Sequence, residues 1–381
     1  MLSKIYLKNF LSFKQETIID VRATNYKMLS DTNVKDDVLK GLLFVGSNAS
    51  GKTNAITSIH FLLKSLFSNE NIDYNYYFCL FSNTDDMSLE YTFNVESNEI
   101  IYGFSFDVDG VTKEYLIYNK EKLFDRLGTN AHSLITDKTN YFDSDIDRKT
   151  LFLRNIYFNT KFTKYPILKK WFGSLNNSVY LNAVKRITNV FNSNNELLIR
   201  NYLEKNGVKK INDFFNYFGF DQQICYENEH HISKDSYAVV KEKEIFIKRE
   251  NIDIWFPLVR ESLGNQTLLN MLPAIIHSLE NESIIIIDEF SSALHNELEE
   301  LIVRFFMKNS NNSQIFFVSH STNLLSTTLL RPDQIYSSTF EDENGTKLKR
   351  FSSEGPRESQ NLERMYLNGV FDGIPRYKNK N

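Results

Sequence analysis

A chain of 381 residues, 41% hydrophobic and 24% charged, has the composition of a soluble globular protein and is long enough for two or three structural units. Its 44 basic and 48 acidic residues leave a formal charge of −4, which excludes a global electrostatic footprint for nucleic acid and leaves only a local basic patch open. Two cysteines, Cys79 and Cys225, are too few for a disulfide framework; with no signal peptide and no apolar run of membrane length, a cytoplasmic protein without a membrane partner is expected.

Residues 4–10 and 16–20 alternate as two strands, and a polar stretch, 21–38, leads to the apolar strand Leu42-Leu43-Phe44-Val45. Gly46-Ser47-Asn48-Ala49-Ser50-Gly51-Lys52-Thr53 then fits G-x-x-x-x-G-K-[ST] without mismatch. Asn54 follows, and Ile56, Ile59, Leu63 and Leu66 recur at helical spacing. In a strand, loop and helix of this kind, the backbone N–H groups of the loop and the positive helix end surround phosphates, Lys52 reaches the β- and γ-phosphates, and the Thr53 hydroxyl holds Mg²⁺. ATP and Mg²⁺ are the expected ligands.

After a polar break at Ser68-Asn69-Glu70-Asn71 the period changes from helix to strand. Met87, Leu89, Tyr91, Phe93 and Val95, then Ile100, Tyr102, Phe104, Phe106 and Val108, alternate with polar residues about a turn at Ser97-Asn98. They predict an antiparallel hairpin, extended by residues 114–118. From 121 to 235 polar loops at 128–147 alternate with expected helices around 161–172, 187–204 and 208–218, and strand-like segments resume at 236–249. No a/d heptads run through this stretch, which argues against a long coiled coil.

Ser262-Leu263-Gly264 opens a helical run with Leu268, Leu269, Leu272, Ile276 and Leu279. Two readings stay open: Ser262 as a simple helix cap, or a Ser-x-Gly motif that meets phosphate at a helix terminus. Ser283-Ile284-Ile285-Ile286-Ile287-Asp288-Glu289 predicts a buried parallel strand ending in two carboxylates, Asp288 to act on Mg²⁺ and Glu289 to polarise water. A helix with Leu294, Leu298, Leu301, Ile302, Phe305 and Phe306 precedes a second buried strand, Gln314 to Ser319, that delivers His320 to the edge where ligands bind in open α/β sheets. His320 is read as a γ-phosphate partner, against the alternative of a structural histidine. The pair His230-His231 lacks companions at metal-ligand spacing. Lys161, Lys164, Lys169 and Lys170 suit a solvated helix face better than a phosphate-contacting one. The 14% aromatic content suits core packing, and Arg376–Asn381 is read as a frayed tail.

These motifs in this order, with the opening Leu7-Lys8-Asn9-Phe10-Leu11-Ser12-Phe13, resemble the RecF/SMC branch of ABC-type ATPases. Within it the chain is similar to the short AAA family ATPases of bacterial anti-phage and abortive-infection systems, of the RloA, AbiL and PARIS kind. Glu261-Ser262-Leu263-Gly264, Asp288-Glu289-Phe290 followed by Leu294-His295, and the close Tyr366-Leu367-Asn368-Gly369-Val370-Phe371-Asp372-Gly373-Ile374-Pro375 carry that likeness. The resemblance implies an α/β P-loop NTPase fold of ABC-ATPase type with an added antiparallel β subdomain and a compact, mainly helical insertion. Its divisions would be 1–120, with the P-loop and antiparallel sheet; 121–235, the insertion; and 236–381, with signature, Walker B strand and switch histidine. Ser262 and Gly264 would be the signature residues that complete the site of an opposite protomer. Two departures stand out. Transporter ATPases carry Leu-Ser-Gly-Gly-Gln and an aspartate after the DE pair, whereas this chain has Ser262-Leu263-Gly264 and His295, and residues 69–95 contain no glutamine to sense Mg²⁺.

The resemblance further implies an Mg²⁺-dependent ATPase that forms a homo-oligomer from head-to-tail dimers. Such an ATPase would sense infection through a phage protein and control a separately encoded effector such as a TOPRIM-like nuclease. About 60 residues follow the His320 strand, too few for an appended nuclease domain. A RecF-like DNA-repair ATPase that clamps DNA, and a scaffold that binds ATP with little turnover, are the rival expectations.

Overall fold

A computed structural model describes residues 1–68, 72–135, 141–143, 145–185, 187–191, 199–227, 243–292 and 294–374. Its centre is a seven-stranded sheet. In chain order the elements that build it and flank it are β1 (Gly41–Gly46), α1 (Lys52–Phe67), β2 (Val179–Asn182), β3 (Ile187–Val190), α2 (Leu263–Glu280), β4 (Ile284–Asp288), α3 (Asn296–Asn309), β5 (Gln314–Val318), β6 (Ile335–Glu341), β7 (Gly345–Arg350) and α4 (Leu362–Leu367). In space the order is β3-β2-β4-β5-β1-β6-β7. Neighbours from β2 to β6 are parallel, and β3 and β7 close the two edges antiparallel.

The isoleucine run explains why β4 lies at the centre. Side chains alternate across a strand, so a strand buried on both faces needs apolar residues at every position. Ile284 and Ile286 join Leu42, Phe44, Phe316 and Val318 in one core with α1, while Ile285 and Ile287 join Leu43, Val45, Ile315 and Phe317 in a second core with α2 and α3. Against the first core packs an eight-stranded sheet, antiparallel throughout, in which Leu2–Lys8 lies between Thr17–Asp20 and Met87–Val95. Helix α1 is therefore sandwiched between two sheets, with Ile56, Ile59, Leu62, Leu63 and Leu66 buried. The α/β P-loop fold with an added antiparallel sheet is as expected.

The finer expectations fare unevenly. The hairpin of 87–108 continues through Gly110–Tyr118, Glu121–Leu127 and Asn130–Ser133, so the antiparallel sheet runs across the boundary expected at residue 120. The stretch 121–235 contains the helices Phe152–Asn159, Pro166–Asn176, Ile199–Asn206 and Lys209–Tyr217, yet its strands β2 and β3 belong to the central sheet. The helix expected over 187–204 is a correction: Ile187–Val190 is a strand, its β-branched residues paired with Val179–Asn182, and Ile199–Asn206 is helical. His230-His231, Pro375 and Arg376–Asn381 lie outside the described residues.

One buried ion pair ties the antiparallel sheet to the helices. Glu114, fully buried, accepts the N–H groups of Phe152 (2.6 Å) and Leu153 (2.8 Å) and the Tyr102 hydroxyl (2.9 Å), and lies 3.6 Å from Arg126. Glu114→Ala leaves a buried guanidinium and a helix N-terminus without their anion. A loss of about 3–5 kcal/mol is expected, read as a fall in urea midpoint, while Glu121→Ala at an exposed site of the same sheet shifts it little.

Candidate active site

The loop between β1 and α1 is shaped by what surrounds it. Gly51 has φ +98, and a Cβ there would lie 2.1 Å from Thr346 Oγ1 on β7; at Gly46, φ +148, it would lie 2.6 Å from the Ser338 carbonyl. Only glycine fits both positions. Thr346 Oγ1 is 3.0 Å from the Ser50 carbonyl and 2.7 Å from Ser12 Oγ, which in turn accepts from Asn54 Nδ2 at 2.7 Å. Ser50 Oγ is 2.6 Å from Ser338 Oγ. The opening motif thus has a place: Phe10 and Phe13 are buried in the core, the chain turns tightly between them, and Ser12 is pressed against the loop.

Asn48, Ala49, Ser50, Gly51, Lys52, Thr53 and Asn54 line an open cleft of about 790 Å³ together with Glu289 and His320. Gly46 and Ser47 sit behind it, their carbonyls accepting from Lys52 Nζ at 3.0 and 2.7 Å. Thr53 Oγ1 donates to Asp288 Oδ1 at 3.1 Å. Glu289 adopts φ +57, left-handed and costly for a residue with a side chain, directly after the strand. Its Oε2 lies 3.9 Å from His320 Nε2. Three of these groups are pushed toward neutrality by burial: Asp288 upward, with Glu289 adding to the push, and Lys52 and His320 downward, with Lys52 adding to the effect on His320. A hydroxyl beside a single carboxylate, behind a loop of backbone donors and a lysine, fits Mg²⁺, which takes one or two protein oxygens and completes its shell with phosphate and water.

Asn182 was not anticipated from the sequence. It ends β2, opposite Asp288 in the parallel register, and its Nδ2 donates to Asp288 Oδ2 at 3.1 Å. The two carboxylate oxygens of Asp288 therefore accept from different strands and helices, Oδ1 from Thr53 and Oδ2 from Asn182. The missing glutamine has no counterpart in 69–95, but the strand beside Asp288 provides an amide.

Ser262 and Gly264 do not line the cleft. Ser262 is the exposed N-cap of α2, its Oγ accepting from Asn265 N at 3.3 Å, between exposed Val259 and Leu263. Behind it the nearly buried Glu261 accepts from Ser262 N (2.9 Å), Asn265 Nδ2 (3.0 Å) and Arg249 Nη2 (2.8 Å). Burial raises the Glu261 pKa, yet these donors outweigh it and hold the carboxyl below its usual range. So the helix terminus is braced from behind and open in front. Ser262 therefore caps the helix, and the terminus it caps faces outward.

A family model described as "AAA domain, putative AbiEii toxin, Type IV TA system" matches residues 42–326, which span the P-loop, Ser262-Leu263-Gly264, the DE pair and His320. The chain belongs to this family. No curated protein matches this AAA-domain chain in sequence. Among solved structures it is similar to an SMC head bound to the C-winged helix domain of ScpA, at 15% identity and a TM-score of 0.52 over 91% of this chain and 97% of that one. The SMC head domain from Thermotoga maritima aligns at 15% identity over 91% and 97%, TM-score 0.49, and an Smc head derived from Pyrococcus furiosus, bound to the C-terminal domain of ScpA, at 13% over 91% and 95%, TM-score 0.47. The chain is thus an AAA-domain protein with a P-loop, and its fold is like that of an SMC head. Among the described residues no helix is long and apolar enough to cross a membrane.

Asn182→Ala removes the amide donor to Asp288 Oδ2 without touching the phosphate loop. In a titration of a fluorescent ATP analogue, the Mg²⁺ concentration for half-maximal binding is expected to rise about tenfold, as for partners of metal ligands generally. Binding without Mg²⁺ should not change.

Proposed function

We propose that this protein is the ATP-binding and hydrolysing component of a bacterial anti-phage, abortive-infection system, and that its active form is a head-to-tail dimer with two composite sites. The observation that carries the dimer is the division of the motifs: P-loop, Glu289 and His320 line one open cleft, with Asp288 hydrogen-bonded to Thr53 at its wall, while the braced Ser262 terminus stands outside it. A second copy, turned head to tail, would place its Ser262 and Gly264 over the phosphates of the first, and a two-fold axis repeats the contact. The family description, with its toxin and toxin–antitoxin wording, and the resemblance of the Glu-Ser-Leu-Gly and closing segments support the defence role.

In this reading Thr53 and Asp288 would hold Mg²⁺, which would supply charge neutralisation for the phosphates. Lys52 leaves the Gly46 and Ser47 carbonyls for the phosphates and adds a fixed positive charge. Glu289 orients the attacking water and accepts its proton, and His320, kept neutral by burial, hydrogen-bonds the γ-phosphate. Closure of the dimer would signal through the outer surfaces to a phage-protein trigger and to a separately encoded effector of TOPRIM-like nuclease type.

Glu289→Gln keeps the size and shape of the side chain and loses the base. Turnover is expected to fall about 100-fold or more, with ATP affinity within a few-fold of wild type and a dimer accumulating in ATP by light scattering. Unchanged turnover in this variant contradicts the assigned role. Retention of duplex DNA by the ATP-bound dimer, lost steeply with salt, would move the function to DNA repair.

A further inference from the structure

The turn that follows the switch histidine is held by a buried carboxyl outside the cleft. Glu299 lies on α3 and is 1% exposed. Its Oε1 accepts from Ser321 Oγ at 2.9 Å, and its Oε2 has no partner. Asn323, two residues further along the turn, is oriented by its Nδ2, which donates to the Asn296 carbonyl at 3.2 Å and to Glu300 Oε1 at 3.4 Å; its buried Oδ1 has no partner either. Two buried acceptors thus stand without a donor where one turn meets one helix.

An ionised carboxylate makes this worse and a carboxylic acid resolves it. As an anion Glu299 would be buried with a single serine hydroxyl to stabilise it, a costly state. As an acid it carries one O–H donor, which is what the unpartnered oxygens lack. Burial, reinforced by Glu300 and opposed by Ser321, pushes its pKa up to about 7. The charged groups around the contact are Glu300, paired at 3.9 Å with Arg304 on the same helix; Glu363 of α4, which accepts from Thr322 Oγ1 at 2.6 Å; and His320 itself.

Resting on the reading of His320 as the γ-phosphate partner, we propose that Glu299 is a positioning residue for the His320 turn. It acts as a neutral carboxylic acid that accepts from Ser321 and donates to the Asn323 side-chain carbonyl. The acid then fastens Ser321 and Asn323, the residues that bracket Thr322, while Ser319 Oγ accepts from Ser321 N (2.9 Å) and Ser291 Oγ from His320 N (3.3 Å). With the turn fixed on both sides, the imidazole is presented to the cleft at a set height. Loss of the proton faces an anion toward a carbonyl oxygen and frees the turn, so hydrolysis slows as pH rises. His320, whose pKa is lowered, titrates on the acid side of this step.

The test compares wild type, Glu299→Gln and Glu299→Ala. Glutamine offers a carbonyl acceptor for Ser321 and an N–H donor for Asn323 at every pH; alanine offers neither. For ATP hydrolysis, wild-type kcat is expected to fall about tenfold between roughly pH 6.5 and 8.5, Gln to hold kcat within about twofold of the wild-type maximum with no such fall, and Ala to lose about tenfold in kcat at unchanged KM. A Gln variant as impaired as Ala, or one that keeps the alkaline fall, overturns the proposal. A second readout needs no ATP. A carboxyl whose folded pKa is raised loses stability as pH climbs from its ordinary 4.5 through about 7. The Tm of Gln should therefore gain on wild type across that window and keep a constant lead above it; a difference that does not vary with pH overturns the proposal even if the protein hydrolyses no ATP.

Discussion

Parallel register brings Asn182 opposite Asp288, Val318 opposite Phe44 and Ser338 opposite Gly46, so the strands that carry the chemistry end together at one edge of the sheet. Alternation makes that register hard to change. A slip of one residue in β4 would exchange Ile284 and Ile286 with Ile285 and Ile287 between two separate cores and carry Asp288 away from Thr53 and Asn182. The position of Asp288, the proposed Mg²⁺ ligand, is thereby set by hydrophobic packing.

The two halves of the proposed composite site differ in how their charges are settled. In the cleft, burial works against the charged forms of Asp288, Lys52 and His320. At the outward helix terminus, Glu261 has donors from Ser262, Asn265 and Arg249, and is held ionised. The terminus is preorganised, whereas the cleft is arranged around groups that a triphosphate and a divalent cation would settle. That contrast suits a machine in which ligand binding, rather than folding, completes the chemistry.

Much of this was legible in the sequence because the signals are local. A P-loop is defined by consecutive residues, and the isoleucine run declares a doubly buried strand by itself. The Ser262 cap could likewise be read from its neighbours. The contact of Asn182 with Asp288 spans 106 residues and exists only through strand pairing, so no spacing rule could find it. The same holds for Thr346 and Ser12, which shape the loop from opposite ends of the chain. Ile187–Val190 was missed because four residues of alternation beside a helical pattern give too short a period to separate strand from helix. The division at residue 120 failed to anticipate a sheet that simply continues through the next turn.

The central claim is that the Ser262 terminus acts on the phosphates bound by another copy. It is tested most directly by mixing two inactive variants, Lys52→Ala and Ser262→Arg, and measuring ATP hydrolysis. In a head-to-tail heterodimer one site carries both lesions and the other carries none, so about a quarter of wild-type activity should return on mixing. Activity that stays at the level of the separate variants, although the two chains are shown to pair, would contradict the composite site.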